Sequence, residues 1–240
     1  MNIEKPEIFP KNKIKAGVTE RNIENFPPYG LSVFSAKILS KEKCLSHINA
    51  LASHLGISAD KLKFQKQTHG TNINIIVQGS KVDEADGMIS STPGLFLCIK
   101  IADCCAILIY DSVKEVVAGF HSGWRGTMQN IVSIGIKRMQ SIFDCEPGDL
   151  LAYLSPAASC EKYEVGWDVA KYFPETTMQI DSNKYLFDNK KQIYKQLIEA
   201  GLKEQRIEIS PICTITDTRF HSYRRDGDYS GRAAAFIGMS

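Results

Sequence analysis

Apolar positions along this chain recur in two rhythms, one of period two and one of period three to four. Residues 13–19 (KIKAGVT) and 31–36 (LSVFSA) read as strands, joined by a loop that contains FPPYG. Ser40 is a suitable N-cap for a helix over about 41–55, where Cys44, Ile48, Leu51 and Leu55 fall at helical spacing. The β-branched run 73–78 (INIIVQ) predicts another strand. LFLCIKI, AILIY and EVVAGF follow as three strand-like runs with short links. Residues 126–143 read as a helix with Ile131, Ile134, Ile136 and Met139 partly on one face, and residues 151–154 (LAYL) as a strand. A helix is predicted over 188–200 and ended by Gly201. IEISPICTI and AAAFIGM are the late strands.

Runs of strands with isolated helices lack the steady βαβ alternation of a doubly wound fold. The expected class is α+β, with a sheet packed against helices. No Pro/Gly/Ser linker divides the chain, so residues 1–240 are expected to form a single domain. At 240 residues the chain is long enough to bury a sizeable core. Its 43% hydrophobic and 23% charged residues are ordinary for a soluble globular protein. A net charge of +2 gives no electrostatic case for nucleic acid as the main partner. No apolar run reaches the roughly 18 residues of a membrane span, so no membrane partner is expected. The segment MNIEKPEIFPKNK lacks the apolar stretch of a secretory signal, so a cytoplasmic location is expected. The seven cysteines are odd in number, irregularly spaced and without a CxxC pair, which argues against a disulfide framework or a zinc finger.

Chemistry concentrates in three places. Asp103, Cys104 and Cys105 interrupt an otherwise apolar stretch, and burying a carboxylate with two thiols is costly unless something pairs with them. His69 lies in KQTHGT, between two short strands. His121 lies in GFHSGWRGT, where a strand gives way to a glycine-rich turn and a helix. Two histidines and one thiolate match the three-ligand count of a catalytic zinc site, and the same donors suit copper. Adjacent strand residues point to opposite faces, so only one of Cys104 and Cys105 is expected to reach the pocket. Asp103 would act in support of the ligands or as a general acid–base.

Taken together, these stretches resemble the laccase-domain family, also named multicopper polyphenol oxidase, peptidoglycan editing factor and purine nucleoside phosphorylase. KQTHGT is similar to the family's Gln-x-His segment, EADGMIS to its Ala-Asp-Gly segment and IADCCAIL to its Ala-Asp-Cys strand. GFHSGWRGT is similar to its His-x-Gly-Trp-Arg-Gly turn and KYEVG to its Tyr-Glu-Val-Gly segment. CTITDTRFHSYRRDGDYSGRAAAFI resembles its C-terminal pattern. Three segments depart from the family. Cys105 and Ala106 stand where Pro often follows Ala-Asp-Cys, SPAASC replaces Gly-Pro-x-Ile-Gly, and TERN replaces Arg-Gly-Gly-x-Ser around Arg21.

The resemblance implies a single-domain layered α/β sandwich, mixed sheets inside and helices outside, akin to cysteine-hydrolase-like folds. It implies zinc held by His69, Cys104 and His121, and so selects Cys104 over Cys105. It further implies phosphorolysis of adenosine, inosine and 5′-methylthioadenosine, with adenosine deamination as a side activity. On that reading zinc would orient phosphate or supply hydroxide. Arg125, Arg224, Arg225 and Arg21 are the candidate phosphate ligands, with Gln67 on the substrate side and Asp103 passing a proton. Five histidines are too few for the several coppers of a true multicopper oxidase. Three other readings compete: a zinc amidase editing UDP-sugar amino-acid precursors, a hydrolase with Cys104 as nucleophile and His121 as base, and a non-enzymatic module with a structural zinc.

Overall fold

The computed structural model describes every residue except 35, 36, 38 and 81. In chain order the elements begin with β1 (Ile3–Glu4), β2 (Ile14–Thr19), α1 (Lys41–Leu55), β3 (Leu62–Phe64), β4 (Ile73–Ile75) and β5 (Gly87–Ser90). Next come β6 (Phe96–Ile101), β7 (Cys105–Asp111), β8 (Val116–Ser122), α2 (Trp124–Met128), α3 (Ile131–Phe143) and β9 (Leu150–Leu154). The chain continues with β10 (Glu164–Val165), α4 (Trp167–Ala170), β11 (Thr177–Asp181), β12 (Lys184–Phe187) and α5 (Asn189–Glu199). It ends with β13 (Ile207–Ile209), α6 (Tyr223–Asp226) and β14 (Ala233–Met239).

Two mixed sheets face each other, in strand orders β1-β2-β14-β6-β3 and β13-β9-β7-β8-β5-β4. A small sheet, β10-β12-β11, stands apart. Strand alternation sorts the side chains into layers. Leu97, Ile99 and Ile101 of β6 meet Ala106, Leu108 and Tyr110 of β7 between the sheets. Phe96 and Cys98, one residue out of phase, pack under Leu51, Ala52 and Leu55 of α1. Cys105, Ile107 and Ile109 face α3 and α5 on the far side. Helix, sheet, sheet, helix is thus the order of layers, as the α+β sandwich expectation has it. It explains why β6, β7 and β8 read as continuous apolar runs: both faces of each are covered.

α1 runs over the expected residues, with the Ser40 side chain accepting from Lys43 N–H and Gly56 (φ 71°) closing it. The expected strand 31–36 is not one over its described part; Leu31 to Val33 are buried but irregular. Its last two residues lie outside the described set. The expected helix 126–143 is two helices. Asn130 takes a left-handed conformation (φ 56°) between them and caps α3 through Ser133 N–H. Ile134, expected on the apolar face, is exposed; Val132 and Gly135 take that face with Ile131, Ile136 and Met139. In IEISPICTI the ladder covers Ile207–Ile209, Pro211, lacking an N–H, interrupts it, and Cys213 adds only an isolated bridge to Ala157. The β11–β12 pairing went unread because its side chains are mostly exposed and show no clean alternation.

Asn130 therefore carries both a cap and a left-handed backbone. Asn130→Ala is expected to cost about 2 kcal/mol in urea unfolding, as cap and backbone preference are lost together. Asn130→Gly, which tolerates the conformation, should cost a few tenths. Equal losses in the two variants would show that the backbone conformation contributes nothing.

Candidate active site

Three separate elements converge at the open end of the sandwich. His121 is the sixth residue of β8 and pairs in register with Ala106 of β7. It follows Val117 and Gly119 on the inter-sheet face, so its ring points between the sheets. Cys104 precedes β7 by one residue and continues the face of Ala106, whereas Cys105 turns into the opposite core beside Ser155. His69 arrives on the loop between β3 and β4. The ligand atoms of His69, Cys104 and His121 lie within 4.8 Å of one another. The two imidazoles meet edge to face, with ring centroids 4.9 Å apart. His69 (φ 61°) and Asp103 (φ 83°) both hold left-handed backbones, a strain of order 1–2 kcal/mol each that the surrounding contacts must offset.

Asp86 supplies much of that compensation. It is wholly buried just ahead of β5. Its Oδ2 accepts from Thr68 N–H (3.0 Å), the Thr68 hydroxyl (3.1 Å) and Gly70 N–H (2.8 Å). Its Oδ1 accepts from His69 N–H (3.0 Å) and lies 2.7 Å from His121 Nδ1. One carboxylate thus folds the His69 loop and fixes the His121 ring. With Nδ1 engaged, Nε2 is the atom His121 has left to present.

The charges follow from this packing. Burial alone would raise the Asp86 carboxyl, but the bond to His121 and the Gly70 and Thr68 N–H groups hold it down to about 2. Burial would likewise lower His121, and the Cys104 thiolate and Asp86 carboxylate bring it up to about 9. Against the upward push of burial, His121 and His69 draw the Cys104 thiol down to about 6. Cys105, with no such partner, is pushed up to about 12 by burial. The two shifts, Cys104 down and His121 up, both favour the charged form of the pair when no metal is bound.

The donor set fits a metal ion. Two imidazole nitrogens and a thiolate gathered within 4.8 Å of one another are the donor types and number of an open zinc site. Gly123 leaves the space this requires: a Cβ there would stand 2.8 Å from Cys104 Sγ and 3.5 Å from His69. Among the described residues this is the one cluster of metal-ligand type. His47 and His221 are buried elsewhere, bonded to the main chain of Ser32 and Leu31. The residues therefore fit a single ion with an open position and do not fit a multicopper set.

A cavity of about 540 Å³ opens onto the three ligands and is lined also by Phe34, Gln67, Lys100, Tyr223 and Arg232. That size is ordinary for a small-molecule pocket. The remaining expected site residues fall in different places. Gln67 lines the cavity, but its amide donates to Lys100 O and accepts from Lys100 N, both at 2.8 Å. It ties the His69 loop to β6. Asp103 accepts from the Thr214 hydroxyl and Arg224 N–H, both at 2.7 Å, and so pins the C-terminal segment beside Cys104.

The arginines divide. Arg224 lies over the Tyr163 ring, 5.5 Å from its centroid, and Arg125 stacks on Trp124 at 4.2 Å; both are exposed. Arg225 is bound inward instead. Its guanidinium serves the carbonyls of Thr214, Ile215 and Phe220 and the carboxylate of Asp226. Arg21 lines a separate cleft with Thr218 and Arg219. Neither is free to hold phosphate at the ligand cluster. Sequence reading passed over Asp86, Lys100 and Arg232. Asp86 stood inside a quoted motif, and Lys100 was a lone charge in an apolar strand, which is a signal of its own.

The family model described as multi-copper polyphenol oxidoreductase laccase matches residues 38–240. A purine nucleoside phosphorylase of Corynebacterium glutamicum is 30% identical over 200 residues, 80% of each chain. One from Bacteroides thetaiotaomicron is 30% identical over 197 residues, 74% of this chain and 73% of its own. The crystal structure of the hypothetical protein YfiH from Bacillus licheniformis superposes with a TM-score of 0.88 at 25% identity, covering 95% of this chain and 93% of that one. YlmD from Geobacillus stearothermophilus shares the fold, with a TM-score of 0.88 at 24% identity over 98% and 94% of the two chains.

Two outcomes test the Asp86 clamp and the ion pair. Asp86→Asn turns an N–H toward donors that need an acceptor, and is expected to weaken zinc binding about 10–100-fold in chelator competition. Unchanged affinity would contradict the clamp. In metal-free protein, Cys104 alkylation by iodoacetamide, mapped by mass spectrometry, should rise with pH to half-maximum near 6 as the thiolate forms. His121→Ala should move that midpoint up toward the ordinary thiol range.

Proposed function

The chain belongs to the multi-copper polyphenol oxidoreductase laccase family, and on that premise we propose that it is a metal-dependent purine nucleoside phosphorylase. The observation that carries this reading is the open three-ligand cluster of His69, Cys104 and His121 at the floor of a nucleoside-sized cavity. Zinc is the proposed ion, with copper compatible with the same donors. Adenosine, inosine and 5′-methylthioadenosine are the proposed substrates, and adenosine deamination a side reaction of the same pocket. The relatives named purine nucleoside phosphorylase support the class of reaction.

In phosphorolysis a phosphate oxygen forms a bond to ribose C1′ as the C1′–N9 bond breaks. The purine leaves with the bonding electron pair and takes up a proton. A divalent ion bound here would act as a Lewis acid, polarising an oxygen held against it. The chain's own residues do the rest. The Asp86 clamp fixes His69 and His121 before substrate arrives, so no reorganisation is needed as charge develops. Asp103 holds the segment carrying Tyr223 and Arg224 against the ligand loop. Tyr163 and Trp124 offer aromatic surface beside Arg224 and Arg125.

A second reading has one observation behind it. Cys104, His121 and Asp86 stand in the order thiol, imidazole, carboxylate, which is the arrangement of an activated cysteine nucleophile. A trapped acyl-enzyme at Cys104 in metal-free protein would favour it.

Zinc-loaded protein incubated with adenosine is expected to give adenine and ribose 1-phosphate when phosphate is present and neither when it is absent, as resolved by chromatography. His69→Ala, Cys104→Ala and His121→Ala should each lower kcat/KM by at least about a hundredfold with the fold retained. Inosine among the products would establish the deaminase activity. Adenosine returned intact by folded, metallated protein would overturn the assignment.

A further inference from the structure

Besides Lys66, which is ion-paired to Glu84, two cations line the same cavity as the ligand cluster with no ion-pair partner among the described residues. Lys100 and Arg232 both line it, and no carboxylate does. Neither makes an ion pair among the described residues. Lys100 sits at the end of β6 directly beside Ala234, two residues from Arg232. It is half-buried, and its ammonium donates to Gln65 O at 2.7 Å. Arg232 uses Nη1 on the carbonyls of Ser230 (2.9 Å) and Gly231 (2.8 Å). Its Nε and Nη2 have no protein partner among the described residues.

The guanidinium is also held in place. The rings of Phe34 and Tyr223 each lie 5.5 Å from it. A planar guanidinium fixed by aromatic contacts loses little freedom on binding and presents a fork that matches a tetrahedral oxyanion. Burial lowers both groups from their ordinary values, and each feels the other's charge or that of Cys104 and Asp103. Two half-buried cations side by side on one pocket wall are unfavourable alone and favourable around an anion. Arg21 and Arg225 are spent elsewhere, and Arg125 and Arg224 are exposed on other rings.

We infer that Lys100 and Arg232 form the anion subsite of this pocket and that its occupant is inorganic phosphate. The choice of phosphate rests on the phosphorolysis reading; the subsite itself rests on the two cations. Such a site would place the anion across the cavity from His69, Cys104 and His121, leaving the space between for the ribose.

The test is calorimetric titration of inorganic phosphate into zinc-loaded protein, alongside steady-state kinetics with phosphate and nucleoside varied separately. One phosphate site is expected, weakened at least about tenfold in Arg232→Gln and in Lys100→Gln. The KM for phosphate should rise by a similar factor while the KM for nucleoside stays within about twofold, and Arg232→Lys should recover part of the loss. Circular dichroism of each variant confirms the fold, and the two substitutions report independently. Phosphate bound as tightly by both variants as by the parent chain would overturn the subsite, as would a parent chain that binds no phosphate. Phosphate bound at this site by a protein that cleaves no nucleoside would uphold the subsite and sink the phosphorylase reading.

Discussion

The carboxylate of Asp86 is the contact on which the rest of the site depends. It lies fully buried at the start of β5 and gathers three backbone N–H groups and a hydroxyl from the Thr68–Gly70 turn, together with the His121 ring. An ionised carboxylate buried there would be strongly unfavourable without these donors. With them it is the cheapest form the group can take, which is why its carboxyl is held so low. The same bonds hold His69 at a positive φ that a histidine would otherwise leave. A loop residue and a strand residue thus become parts of one rigid unit. Gly123 then leaves the room into which Cys104 reaches.

Around that unit the cavity has two chemically distinct walls. One wall offers the nitrogen and sulfur donors of His69, Cys104 and His121. The facing wall carries Lys100 and Arg232. On the proposed phosphorolysis, the nucleoside would lie between a metal on one side and phosphate on the other. Placement of both walls is a consequence of the sandwich. Lys100 on β6 and Arg232 just ahead of β14 come from one sheet, Cys104 and His121 from the ends of β7 and β8 in the other, and His69 from the β3–β4 loop. Active sites commonly sit at such ends, where loops are held by a rigid scaffold.

Much of this was legible in the sequence, for identifiable reasons. β6, β7 and β8 announced themselves because both faces are buried, and α1 because Ser40 caps it and Cys44, Ile48, Leu51 and Leu55 fall at helical spacing. His69, Cys104 and His121 stood out as ligand-type residues at or near strand ends; strand alternation allowed only one of Cys104 and Cys105 into the pocket, and the family resemblance chose Cys104. The break at Asn130 was not legible, since an asparagine inside a helical period looks like a surface position until its backbone is seen. Roles of the arginines were the least legible. Arg225 and Arg232 both lie in the tail SYRRDGDYSGRAAAFI. Only the packing tells that the first is spent on carbonyls and the second keeps two nitrogens uncommitted. Asp86 went unassigned because a clamp of this kind has no period and no partner nearby in sequence.

The most direct measurement is a crystal structure of the zinc-loaded protein soaked with adenosine and sulfate, sulfate serving as an unreactive likeness of phosphate. The expected result is one zinc on His69, Cys104 and His121 with a position left open, sulfate against Arg232 and Lys100, and the ribose C1′ between them. A zinc closed by a fourth protein ligand, or adenosine bound outside this cavity, would contradict the site as the seat of phosphorolysis.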